Sequence, residues 1–277
     1  MTTESSFLPG PHPEEEALRE EIARLRASLT ALLLQKDDLL LIQCRRIETA
    51  YLRRFGALEL KLHEAWCACL RAKKKAKLIR AAQNRRERAD LRQIDAALDE
   101  ALADYRQRLE DQFQRVAGVL DKHEGPGLSS RGAKELRALY RQVVKALHPD
   151  LHPGEDEVRA RKLQQAMRAY RAGDLNTLRT LCDSLDTPQE NMTDDLESLR
   201  QEAARLRAGI QTFDREIEAI KAAYPYHTVV YLEDEAQGIA HEQELREKLL
   251  ALRERTARYE AAIETMLAAQ HEEGEGP

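Results

Sequence analysis

Aromatic residues make up only 5% of the 277-residue chain, and there are just 12 glycines and 9 prolines. A β-rich fold, with its aromatic strands and frequent turns, is excluded by that scarcity. Long apolar runs are missing too. The longest, Leu29 to Leu34 and Leu39 to Ile42, are separated by Gln35-Lys36-Asp37-Asp38 and fall far short of the roughly 20 residues that span a bilayer. The first fifteen residues hold three glutamates and no lysine or arginine, so no secretory signal is expected and a cytoplasmic, non-membrane protein is. The net charge is only -5, and nucleic acid is not an expected partner. Four cysteines lie inside helical patterns. Cys67 and Cys69, two apart, point to different helix faces, so neither a metal site nor a cofactor is expected.

What remains is 34% charged residues with abundant Ala, Leu, Glu and Arg, the composition of long helices. The expected fold is all-α: two long antiparallel coiled-coil helical hairpins flanking a small helical module. A disordered leader is expected over 1–13, an amino-terminal hairpin over 14–122 and a linker over 123–133. The module follows over 134–186, a second linker over 187–195, a carboxy-terminal hairpin over 196–268 and a disordered tail over 269–277.

Alternating three- and four-residue steps carry this reading. Leu18, Ile22, Leu25, Leu29, Leu32 and Leu39 form one seam whose partner must be found elsewhere. Tyr51, Phe55, Leu58, Leu62, Trp66 and Cys69 form a second, answered beyond the polar turn 84–90 by Leu91, Ile94, Leu98, Leu102, Tyr105, Leu109, Phe113 and Val116. Asp90 is the expected N-cap of that return, and Gly125-Pro126-Gly127 the clearest linker. The most regular runs are Leu196 to Tyr224 and Leu245 to Met266; Pro225 forbids one continuous helix, so they are expected to fold back on each other. In that hairpin Leu206 and Ile210 face residues 252–259. Pairing between two copies, giving a homodimer, is the alternative. Thr228-Val229-Val230-Tyr231 is strand-like but too short for a sheet.

The central module opens with an amphipathic helix from Lys134 to Leu147. Leu136, Tyr140, Val143 and Leu147 share one face; Lys134, Arg137, Arg141 and Lys145 make a basic stripe. His148-Pro149-Asp150 must end this helix, because the residue before proline is pushed out of the α region. A second helix from about Asp156 brings Leu163, Ala166, Met167 and Tyr170 back onto the first. Gly173 stops it, and Asp174 is the expected cap of a third helix carrying Leu175, Leu178, Leu181 and Leu185.

The run Leu139-Tyr140-Arg141-Gln142-Val143-Val144-Lys145-Ala146-Leu147-His148-Pro149-Asp150 resembles the second helix and signature loop of the DnaJ family, and Lys162 to Tyr170 resembles its third helix. The resemblance covers the stretch from about Lys134 to Leu185. The family's first-helix signature does not precede Lys134, its terminal Gln-Lys-Arg helix is replaced by Gly173-Asp174-Leu175-Asn176-Thr177, and Leu151 and His152 stand at unusual loop residues. The resemblance implies a non-enzymatic co-chaperone that binds a DnaK-type chaperone and stimulates its ATPase. His148, Pro149 and Asp150 would then be the trigger, and Lys134, Arg137, Arg141 and Lys145 the docking face. Leu136, Tyr140, Val143, Leu147, Leu163 and Tyr170 would be the core. The coiled coils would position a client or other partner. The alternative is a coiled-coil scaffold that keeps this fold without chaperone coupling.

Other chemistry finds little footing. His148 and His152 bracket Asp150, but two prolines prevent the helix that would align them on a metal. Arg71 to Arg92 holds ten Lys or Arg, yet without interleaved aromatics it reads as a solvated hairpin tip. The chain carries no glycine-rich phosphate loop, G-x-S-x-G elbow or H-E-x-x-H motif.

Overall fold

The structure, a computed structural model, describes residues 13–120, 129–154, 156–185 and 195–274. Residues 1–12 of the expected leader, Gly125-Pro126-Gly127 of the first linker, 187–194 of the second and 275–277 of the tail lie outside them. The described residues are helical and contain no strand, so the chain is all-α. None of their helices is long and apolar enough to cross a membrane. Two compact units form, one from Met1–Arg46 and Gly125–His227, the other from Ile47–Glu124 and Thr228–Pro277.

The first unit begins with α1 (Pro13–Asp38), started by a proline and three glutamates that suit the positive helix N-terminus. Its seam finds its partner in α9 (Leu196–Ala222). The two helices run parallel: Glu14 pairs with Arg200, Glu21 with Arg207, and Lys36 with Glu216 at 2.5 Å. Ile22, Leu29 and Leu33 bury against Leu199, Ala203 and Leu206. Complete burial of a leucine such as Leu29 or Leu206 contributes about 2 kcal/mol. The half-exposed ion pairs contribute less than about 1 kcal/mol each, so they set register while the apolar seam stabilises. Beyond Asp38 the helix widens into a π turn (Leu39–Gln43) before α2 (Cys44–Tyr51). The next buried position after Leu39 is therefore Cys44, a five-residue step that the wider turn absorbs.

Onto this pair packs a three-helix module of α6 (Ser130–Leu147), α7 (Glu157–Ala172) and α8 (Leu175–Asp183). The α6 helix starts four residues before Lys134, because the Ser129 hydroxyl accepts the Gly132 amide at 3.2 Å and caps it earlier. Asp156 and Asp174 cap α7 and α8 through their carboxylates, and Gly173, at φ 72°, closes α7 in the left-handed region.

In the second unit a π turn (Leu52–Gly56) leads into α3 (Ala57–Asn84). Asp90 caps the return, taking the amides of Arg92 and Gln93. The expected single returning helix is broken at Leu102 into α4 (Leu91–Ala101) and α5 (Ala103–Leu120), both packed on α3. Two members of the expected stripes, Trp66 and Phe113, stay largely exposed. The strand-like tetrad is instead a 3-10 turn (Tyr226–Val229) followed by α10 (Val230–Glu233). The last helix, α11 (Glu235–Gly274), lies along α3 in parallel, with Leu245 beside Phe55 and Ile263 beside Ile79. It extends well into the expected tail.

The α3 stripe keeps its expected return, α4 and α5, but the runs expected to close on each other over 196–268 take other partners: α9 pairs with α1, and α11 with α3. Ile210 packs on the α1 side of the first unit, and Tyr259 on the Ile79 cluster of the second. A seam specifies that a helix pairs, not with which partner. Loop-closure entropy grows only logarithmically, so three doublings of chain separation cost about 2 kcal/mol, no more than one or two buried leucines contribute.

Candidate functional site

The amphipathic pattern of α6 sorts its residues. Leu136, Tyr140, Val143 and Leu147 are buried, as are Leu163 and Tyr170 from α7, while Lys134, Arg137, Arg141 and Lys145 are exposed along the opposite face.

The core's two tyrosines are tied to α1. Their rings stack at 4.3 Å between centroids, 12° from parallel. Tyr140 donates its hydroxyl to Asp37 at 2.6 Å and Tyr170 donates to Asp38 at 2.9 Å. Asp38 also accepts the Gln43 amide at 2.7 Å, and the Arg137 guanidinium stands 3.7 Å away. Burial, reinforced by the Asp37 charge, pushes the Tyr140 phenol far up. Burial and the Asp38 hydrogen bond push Tyr170 up to about 12. The Asp37 carboxyl is raised by burial in spite of the Tyr140 hydrogen bond. In the sequence these aspartates look like a polar interruption of an apolar stripe. The available signal was that two tyrosines on a buried face need acceptors.

The His148-Pro149-Asp150 turn follows directly. The His148 backbone leaves the helix at φ -70°, ψ 130°, and its carbonyl accepts the amides of Leu151 and His152 at 3.0 Å each. The Asp150 amide donates to Nδ1 of His148 at 3.2 Å, which requires that nitrogen to be unprotonated. Burial, acting against the Asp150 and Asp37 charges, lowers the His148 pKa and agrees with a neutral ring. The 3.6 Å approach of Nδ1 to the Asp150 carboxylate is therefore no ion pair at neutral pH. His152 places Nε2 2.7 Å from the Lys145 carbonyl oxygen.

One partner of the turn was not legible in the sequence. Arg205 of α9 donates to the Asp150 carbonyl at 2.8 Å, and its other donors clasp both oxygens of Glu202 at 2.8 Å. This clasp holds the Glu202 carboxyl below the usual carboxylate range. The turn is thus held by its backbone, while the Asp150 side chain remains 47% exposed.

The basic segment Arg71 to Arg92 is partly spent inside the second unit. Arg71 bonds Asp99 at 2.5 Å, and Lys75 bonds Asp95 at 2.9 Å, fastening α4 to α3. Among the described residues no group of three or more His, Cys, Asp or Glu could hold a metal ion. Compared with family models, curated proteins and solved structures, the chain matches none of them.

Proposed function

We propose that the chain is a J-domain-like co-chaperone that engages a DnaK-type chaperone through His148, Pro149, Asp150 and the basic face of α6 and stimulates its ATPase. The half-exposed Asp150 carboxylate, on a turn whose backbone Arg205 holds from behind, carries this reading. A preorganised carboxylate can accept a charge-assisted hydrogen bond from a partner arginine without first losing conformational freedom. Arg141 and Lys145 supply long-range attraction to an acidic surface. The parallel helix pairs would position a client or a second partner.

A scaffold without chaperone coupling is favoured by one observation: Arg137, a member of the same basic face, already stands 3.7 Å from Asp38. ATP hydrolysis by the chaperone, measured with and without the full chain, separates the two. Stimulation is expected, and Asp150→Asn should abolish it while helicity by circular dichroism stays unchanged. Reversing charge at Arg137, Arg141 and Lys145 should slow association and flatten its salt dependence. Absence of stimulation, or an Asp150→Asn protein as active as wild type, rejects the co-chaperone reading in favour of the scaffold.

A further inference from the structure

Beside the His-Pro-Asp turn, α1, α6 and α9 line a partly open pocket of ≈ 550 Å³. Its walls are of two kinds. Ile22 and Leu34 from α1, Leu151 from the turn and Leu199 from α9 give an apolar lining. Arg19, Arg26, Arg141 and Lys145 bring cations to the same space; Arg19 stands 4.0 Å from Glu15, and Arg26 3.6 Å from Glu202, the one carboxylate of the lining. Arg205 clasps both oxygens of the Glu202 carboxylate at 2.8 Å. Arg141 and Lys145 have no carboxylate partner among the described residues. The packing therefore leaves the charges of Arg141 and Lys145 beside a partly apolar pocket.

We propose that this cavity binds a single-chain amphiphile, its hydrocarbon tail on Ile22, Leu34, Leu151 and Leu199 and its anionic carboxylate or phosphate head at Arg141 and Lys145. A bare anion leaves the apolar walls unused, and an uncharged hydrocarbon leaves the cations unanswered. The volume lies within the range of small-molecule sites, roughly 300–1,000 Å³, and suits a ligand of that size better than a folded partner. Its chemistry stands apart from the chaperone reading, although Arg141 and Lys145 serve both.

Calorimetric titration of the full chain, with no chaperone present, tests the site. Decanoate and decyl phosphate, each below its micellar concentration, are compared with decanol, acetate and anionic phosphatidylglycerol vesicles. Saturable one-site binding of at least one of the two amphiphiles is expected, with decanol and acetate weaker by about tenfold or more. The pair Arg141→Ala and Lys145→Ala, both exposed, should weaken binding by about tenfold or more at unchanged helicity. Ala27→Phe, which projects a ring into the cavity, should do so at unchanged charge. If Ala27→Phe perturbs folding, the charge variant alone decides. No saturable binding of either amphiphile overturns the site, as do equal affinity for decanol, binding indifferent to the charge variant, or binding to vesicles alone.

Discussion

Tyr140 of α6 donates its hydroxyl to Asp37 of α1 at 2.6 Å, across 103 residues of chain, and the next residue, Asp38, takes the hydroxyl of Tyr170. The two bonds are unequal. Asp38 keeps Gln43 as a second donor, whereas Asp37 sits in a site whose burial already raises its pKa. Tyr140→Phe should therefore cost about 1–3 kcal/mol and Tyr170→Phe about 1 kcal/mol or less. Hydrogen exchange of the α6 amides measures both, and equal costs would contradict the asymmetry.

His148 gives the first unit an acid-sensitive contribution. Its ordinary pKa is 6.5, and burial lowers the folded value, so the unfolded chain binds a proton first as pH falls. Stability should then fall as pH drops from about 7 through the lowered value. Asp37 acts with the opposite sign in a more acidic range, because its raised pKa lets the folded state take the proton first. The His148 imidazole should titrate below 6.5 by NMR, and His148→Gln should flatten the loss of stability as pH falls from about 7.

In the second unit two glycines answer to different constraints. A Cβ on Gly238 would stand 2.6 Å from the Tyr231 carbonyl oxygen and 2.7 Å from the Arg54 guanidinium, which Glu235 clasps. Gly238→Ala should cost about 1–3 kcal/mol, read as faster exchange at the start of α11. At Gly118 of α5 nothing lies within 4 Å of the added methyl. Gly118→Ala should stabilise by roughly 0.5–1 kcal/mol through helix propensity alone.

The parallel pairing of α1 and α9 can be tested where their surfaces meet. With Cys44, Cys67, Cys69 and Cys182 replaced, Glu21→Cys and Arg207→Cys should crosslink within one chain at dilution, since the native pair forms an ion pair. Cysteines at 210 and 252–259 should not crosslink preferentially. Efficient crosslinking of the second set, or only interchain products from the first, would restore the hairpin or the dimer.

Local signals in the sequence were enough to place the start of the return and the helix ends of the central module, except that the Ser129 cap begins α6 four residues before Lys134. Asp90 and Asp174 cap the helices expected of them, α7 starts just after Asp156 and closes at Gly173, and Pro149 ends α6 at His148. Capping, proline sterics and side-chain periodicity act within a few residues, so no distant part of the chain is needed to read them. The apolar and basic faces of α6 were legible for the same reason. The partners of α1, α9 and α11 were not. The seams of α1, α9, α3 and α11 are chemically alike, burial of apolar surface is non-directional, and closure over a long separation costs little more than over a short one. Only the tertiary structure decided that α1 runs parallel to α9 and α3 to α11, that Asp37 and Asp38 become the acceptors of two core tyrosines, and that Arg205 reaches the Asp150 carbonyl. Each of these joins residues far apart in the chain, where the energy comes from completed packing and a shared hydrogen bond rather than from local sequence.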